Sequence, residues 1–204
     1  FAGLVSGVEI PRYLEKLDTT YGQLPTRIFS AAVAEEEALK HDLFTREGPE
    51  NVHKLHDELS SLMISHVTVK RDNKSLKETL GKILEIRERL QRISLDDKGS
   101  LANQTYQFAN QFSAMIEIAL VITKGALLRD EFRGAHYKPE FDKRDDTNWL
   151  KTTIASYDPK SLEPIISYRP VDTRHLTPVA RDYTTAKKVK PTLENIPKNI
   201  QLPV

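Results

Sequence analysis

Three successive segments of this chain carry apolar residues at steps of three and four, and no other feature limits its possible folds so strongly. Val52, Leu55, Leu59, Leu62 and Met63 form one stripe and predict a helix over residues 50–66. Leu76, Leu80, Ile83, Leu84, Leu90 and Ile93 form a second, preceded by Asn73, a residue suited to capping a helix start. The third and longest follows the turn Leu95-Asp96-Asp97-Lys98-Gly99-Ser100 and reads Leu101, Phe108, Phe112, Met115, Ala119, Ile122 and Ala126. At about 1.5 Å per residue the three helices would be about 25, 30 and 42 Å long. Each can bury its stripe only against the others, and the short connections predict an antiparallel three-helix bundle over residues 49–130.

The flanks have a different character. Residues 1–17 are expected to form a helix, with Leu4, Val8, Leu14 and Leu17 apolar and Pro11 shortening or kinking it. The opening run Phe1-Ala2-Gly3-Leu4-Val5-Ser6-Gly7 reads as the interior of a buried helix, with Gly3 and Gly7 permitting close packing. The polypeptide is therefore expected to continue upstream. After a break at Tyr21-Gly22-Gln23-Leu24-Pro25, residues 18–48 supply a connecting helix from Thr26 to Thr45. Gly48-Pro49 should stop it, with Pro49 as the first residue of the next helix. Val67-Thr68-Val69 is expected to be extended. Residues 131–204 are read as a charged loop, a β-hairpin and an extended C-terminal tail. The hairpin pairs Trp149–Tyr157 with Ile165–Tyr168 across Asp158-Pro159-Lys160-Ser161. The tail from Arg169 holds Pro170, Pro178, Pro191, Pro197 and Pro203, too many for regular structure. The expected fold is mainly α, a three-helix bundle with preceding helices, a hairpin and a tail.

Composition excludes several function classes. Formal net charge is +1, so no global field recruits nucleic acid. The absence of cysteine excludes disulfides, thiolate metal sites and cysteine nucleophiles. No run of about 18 apolar residues exists, so no transmembrane helix is expected; nor is a signal peptide. The eight glycines never form G-x-G-x-x-G or a P-loop. His53 and His56 share a helix face at loose metal-ligand spacing, with His41 and Asp57 as possible companions. Solvated histidines beside the Leu55–Leu59 stripe are the expectation. Glu35-Glu36-Glu37 reads as a solvated face, His66 as a helix-end residue with no further role, and Glu117 as a rim or ion-pair position. The amides Asn103, Gln104, Gln107, Asn110 and Gln111 suit the satisfaction of buried backbone groups.

The strongest local signal is Arg129-Asp130-Glu131-Phe132-Arg133-Gly134-Ala135-His136. Arginine forks and a carboxylate just past a helix end form bidentate pairs of fixed geometry. Gly134 permits a positive φ, so the loop can turn sharply and expose His136. Taken alone, this set could be an oxyanion-binding or general-acid loop, or a salt-bridge knot tying helix to tail; of the two, the structural knot is favoured.

This segment and its surroundings resemble the C-terminal domain of the succinate dehydrogenase/fumarate reductase flavoprotein family. There a helix ends in A-L-x-R-x-E-S-R-G-A-H and is followed by an acidic-aromatic stretch, D-D-x-N-W and a hairpin. The counterparts are Ala126-Leu127-Leu128-Arg129 through His136, then Phe141 and Asp145-Asp146-Thr147-Asn148-Trp149-Leu150-Lys151. Leu59–Met63, Val67–Arg71 and Arg181-Asp182-Tyr183 match further elements, and residues 1–17 resemble a terminal helix of the FAD-binding domain. Phe132 departs from the family's usual serine.

The resemblance implies an intact subunit with covalently attached FAD that interconverts succinate and fumarate. Electrons would pass to an iron–sulfur subunit and, through a membrane anchor, to quinone. Such a complex sits peripherally on the cytoplasmic face of the inner membrane. The family's catalytic and flavin-binding residues lie upstream of the matched region, so no catalytic, cofactor-binding or metal residue is implied within this chain. Arg129, Glu131, Arg133, Gly134, His136 and Trp149 are the candidates for structural and docking roles, toward the chain's own FAD-binding domain and the iron–sulfur subunit. Two alternatives are the C-terminal domain of L-aspartate oxidase, whose loop more often reads R-G-L-H, and a freestanding helical interaction module.

Overall fold

A computed structural model describes residues 2–99, 101–158, 160–161, 163–174 and 177–179. The readings placed on Arg181-Asp182-Tyr183, Pro191, Pro197 and Pro203 lie outside the described residues. Along the chain come α1 (Ala2–Leu14), α2 (Thr26–Thr45), α3 (Val52–Leu62), α4 (Asn73–Leu90), α5 (Gln104–Leu128) and α6 (Asp146–Trp149), then strands β1 (Lys151–Tyr157) and β2 (Pro164–Pro170). The architecture is mainly helical, with one antiparallel hairpin.

The predicted bundle is α3, α4 and α5. Neighbours run antiparallel: Leu76, early in α4, shares a cluster with Ala126, late in α5, while Arg87 pairs with Glu117 at 3.6 Å. Likewise His66 Nδ1 lies 2.9 Å from Thr79 Oγ1 of α4, and Arg89 reaches back to Glu58 at 2.7 Å. His66 thus has a tertiary partner that its sequence position did not suggest. The main core holds Val52, Leu55 and Leu59 of α3, Ile83, Ile86 and Leu90 of α4, and Ala109, Phe112, Ile116, Ala119 and Leu120 of α5.

The phase of the longest helix differs from the sequence reading. Met115 and Ile122, assigned to the buried stripe, are 38% and 44% exposed, and Leu101, at 89%, precedes the helix altogether. Ile116, Leu120 and Thr123 are buried instead. The reason is that the second half of α5, from Ala114 on, is apolar nearly all round, so spacing alone selects no unique face there. Its 25 residues, with a mean hydropathy of 1.5 over the most apolar window, meet the length and composition needed to cross a membrane, contrary to expectation. Here one face is the core of the bundle.

Caps fix the helix starts. Asn51 accepts from the amides of His53 and Lys54 at 3.0 and 3.2 Å, so α3 begins after Asn51 and Pro49 stands outside it. Asp72 rather than Asn73 caps α4, accepting from Ser75 N at 2.8 Å. Asn103 caps α5 through Tyr106 N at 2.7 Å and donates to the carbonyls of Asp97 and Gly99. An Asn51→Ala chain is expected to lose about 1 kcal/mol, because two amide hydrogens of the first turn lose their acceptor. A urea midpoint lowered at unchanged slope is the result to look for. No change would mean that water replaces the cap.

The segment after α3 is not extended. Met63–Thr68 continues as a π-helical turn, and Val67 is buried. The wider turn frees carbonyls that side chains then take up: Thr68 Oγ1 donates to Ile64 O at 2.8 Å and Arg71 Nε to Val67 O at 2.6 Å.

Helices α1 and α2 project from the bundle. No α1 residue is buried despite its apolar face, Leu4 being 73% exposed, and Pro11 leaves the helix running on to Leu14. From α2, Leu43 joins the core and Phe44 packs on Tyr106. In the hairpin, Lys151 pairs with Pro170 and Tyr157 with Pro164, so β2 extends two residues beyond Tyr168, into what was read as tail. Prolines stand at both ends of β2, where a missing donor is tolerated. Trp149 lies outside the hairpin, in the short helix α6 capped by Asp145.

Candidate functional site: a charged knot beyond the longest helix

Five segments converge where α5 ends: the helix terminus, the loop 129–146, α6, the start of β1 and the connection between α3 and α4. An α-helix ends with carbonyls lacking intrahelical partners, and cations are favoured there. Lys138, fully buried, meets that need by donating to Leu127 O and to Asp130 Oδ1, both at 2.9 Å. Burial pushes its ammonium pKa down, opposed by Asp130.

Glu131 is the centre, with 0% exposure. Its Oε1 accepts from Arg129 Nε and Nη2 at 2.9 and 2.6 Å and from Arg133 Nε at 2.7 Å. Its Oε2 accepts from Arg133 Nη2 at 2.9 Å and from Asp145 N at 3.2 Å. Burial alone would raise this carboxyl, but the bonds from Arg133, Asp145 and Arg129 together hold it below the usual range. Arg129 continues outward to Trp149 O at 2.7 Å, Lys151 O at 3.1 Å and Thr153 Oγ1 at 3.2 Å, fastening helix to hairpin. Its guanidinium lies 5.4 Å from the Trp149 ring centroid, and Trp149 meets Tyr168 edge to face. Arg133 reaches Asp146 at 2.6 Å, and Arg144 and Arg133 together pull the Asp146 carboxyl down to about 2.

Arg133 and His136 exchange two backbone hydrogen bonds of 3.1 and 3.0 Å, closing a tight turn over Gly134 and Ala135. Gly134 takes φ +60°, which glycine adopts without strain. His136 is turned inward, half-buried, not presented outward as expected. Its Nε2 lies 2.8 Å from Arg129 O and its Nδ1 2.5 Å from Arg71 Nη1. Arginine can only donate, so Nδ1 accepts and the proton sits on Nε2.

All six residues singled out from sequence therefore gather here, Arg129, Glu131 and Arg133 in direct contact. The sequence reading missed Lys138, Arg71, Asp130 and Asp146 as members. Lys138 and Asp146 belonged to a recognised mixed-charge stretch, but nothing marked which charges turn inward. Arg71 is 65 residues from His136 along the chain, and only the packing of α3 against the loop brings them together. His53 and His56 make no metal site: His53 stacks on Phe108 at 4.6 Å, and among the described residues no group of three or more metal-ligating side chains assembles. Both ring nitrogens of His136 and both oxygens of Glu131 are engaged by hydrogen bonds within the knot.

Residues 56–183 match the family described as fumarate reductase flavoprotein C-term, a span that contains the entire knot. The chain belongs to the succinate dehydrogenase/fumarate reductase flavoprotein family. It is 39% identical over 190 residues to the succinate dehydrogenase flavoprotein subunit of Bacillus subtilis, covering 93% of this chain and 32% of that subunit. The fumarate reductase flavoprotein subunit of Helicobacter pylori strain J99 is 34% identical over 151 residues, covering 74% of this chain and 21% of the relative. Among solved structures, E. coli quinol fumarate reductase FrdA superposes with a TM-score of 0.74 at 28% identity, over 79% of this chain and 28% of that one. The chain thus spans about a third or less of the flavoprotein subunits it matches, and the match runs to their C-terminal helical domain.

Phe132 stands at the surface, edge to face with Tyr137. Its backbone holds the loop, Phe132 N donating to Lys143 O at 3.0 Å.

Proposed function

We propose that this chain is the bracing and docking part of a flavoprotein subunit that interconverts succinate and fumarate. In the intact enzyme the subunit would pass electrons to an iron–sulfur subunit and, by way of a membrane anchor, to quinone. It would work peripherally on the cytoplasmic face of the inner membrane. The observation that carries the reading is the fully buried Glu131 between Arg129 and Arg133, a geometry that locks the end of α5 to the hairpin.

Relatives named as flavoprotein subunits imply FAD, and the residues present here do not make a site for it. A pyrophosphate needs clustered glycines at a strand-to-helix turn. Gly3, Gly7, Gly81 and Gly125 lie inside α1, α4 and α5, while Gly22, Gly48, Gly99 and Gly134 lie in four separate connecting segments. On this reading FAD and the chemistry belong to other parts of the subunit, with α1 and its exposed Leu4, Val5 and Val8 packing against the FAD-binding domain. The purified chain is accordingly expected to be colourless, and stoichiometric flavin absorbance would contradict that assignment.

The decisive experiment uses the assembled complex. Arg133→Ala is expected to reduce recovery of the iron–sulfur subunit with the flavoprotein while leaving turnover per assembled enzyme within about twofold of the parent. Normal assembly with succinate oxidation abolished would instead make the loop catalytic.

A further inference from the structure

We propose that His136 is a proton-operated clasp, which in its neutral form holds the α3–α4 connection against the loop after α5 and on protonation releases it. The inference rests on how few ways the ring can be satisfied. Nε2 must carry a hydrogen, because Arg129 O at 2.8 Å can only accept. Nδ1 must be bare, because Arg71 Nη1 at 2.5 Å can only donate. A second proton on the ring would therefore set two donors and two positive charges against each other at Nδ1.

The surroundings offer the imidazolium no relief. From the α3–α4 connection the group facing His136 is Arg71; from the end of α5 it is Arg129; from its own loop it is Lys138. All three are cations. Of the loop carboxylates, Glu131 is committed to Arg129 and Arg133, Asp130 to Lys138 and Asn73, Glu140 to Asn73 N, and Asp146 to Arg133 and Arg144. Burial first, and then these cations, push the pKa of His136 below its ordinary value.

Release has a defined structural consequence. Arg71 holds the π-helical turn through its Nε to Val67 O at 2.6 Å, and its own amide donates to Tyr137 O at 3.1 Å, one residue beyond His136. Displacing the guanidinium loosens the tie between Met63–Asp72 and the loop, whereas Leu76–Leu90 remains fastened by the core. Because the folded pKa is depressed, the open form binds more protons than the closed one between that pKa and about 6.5. Opening is therefore favoured as pH falls below about 6.5, by up to about tenfold per unit, and levels off below the folded pKa.

Hydrogen exchange on the full chain between pH 7.5 and 5, corrected for intrinsic exchange rates, tests the clasp. Protection of residues 64–72 should fall as pH drops below about 6.5, by no more than about tenfold per unit, with protection of residues 76–90 unchanged. His136→Gln keeps an amide donor for Arg129 O but cannot ionise, and should flatten the dependence. Flat protection in the parent chain, or an unchanged slope in His136→Gln, overturns the proposal. If that variant does not fold, the His136 Cε1–H resonance of the parent decides: its titration midpoint must lie where the fall in protection levels off, and a mismatch overturns the proposal equally.

Discussion

Replacing Glu131 by glutamine is expected to lower the stability of this chain by about 3–5 kcal/mol, the cost of removing one partner from a buried charge cluster. The carboxylate is fully buried and accepts five hydrogen bonds, four of them from two guanidinium groups. Glutamine keeps the shape but brings its own donors against arginine donors and leaves two cations sharing no anion. For a chain of this size about 1 kcal/mol corresponds to about 2–4 °C in Tm, so a drop of about 6–20 °C is expected. Glu117→Gln is the control. Its pair with Arg87 spans 3.6 Å at a partly exposed rim, where the change should stay near or below about 1 kcal/mol. The pH dependence carries a second signature. Glu131 and Asp146 are both held below their ordinary values, so their contribution is complete above the unfolded carboxylate range and is lost as pH falls through it toward the folded pKa, about 2 for Asp146. Glu131→Gln should make the acid limb of the stability profile shallower. A loss under about 1 kcal/mol would show the knot to be relaxed by water, and the bracing role would lose its main support.

Gly48→Ala is expected to cost about as much, for a steric reason. The chain between α2 and α3 runs against the end of α4, where Gly48 N donates to Ile93 O, Glu50 N to Arg92 O and Ser94 N to Glu50 O. A Cβ on residue 48 would stand 1.7 Å from the carbonyl oxygen of Arg92. Backbone cannot swing aside as a side chain can. The two segments must part, and three hydrogen bonds of about 1 kcal/mol each are lost together with the packing of Leu43 and Ile93 nearby. A loss of about 3–5 kcal/mol by urea unfolding is the expected result. Gly81→Ala, where an added Cβ meets nothing within 4 Å, should instead stabilise α4 slightly, by about 0.5–1 kcal/mol. Equal effects at the two positions would mean that the close approach at residue 48 is not maintained in solution.

Local rules read from sequence carried most decisions that depended on neighbours a few residues away, though not the starts of α3 and α4, which are capped by Asn51 and Asp72 rather than begun at Pro49 and Asn73. The bounds of α2, the existence of the three bundle helices, the hairpin and the turn at Gly134 all follow from spacing, breakers and one permissive glycine. The pairing of Arg129 and Arg133 with Glu131 was legible because all three sit within five positions of one loop. Decisions needing a partner distant in the chain were not legible. Which face of α5 is buried was settled by the packing of α3 and α4, since Met115 and Ile116 are equally apolar as letters. That Val67 lies in a π-helical turn, not a strand, depends on Arg71 and Thr68 capturing the freed carbonyls. Lys138 and His136 acquire their roles only once α5 ends above them and the α3–α4 connection closes from the side. A charge in a sequence carries no record of whether water or another charge will surround it, and burial, which decides that, is a property of the assembled fold.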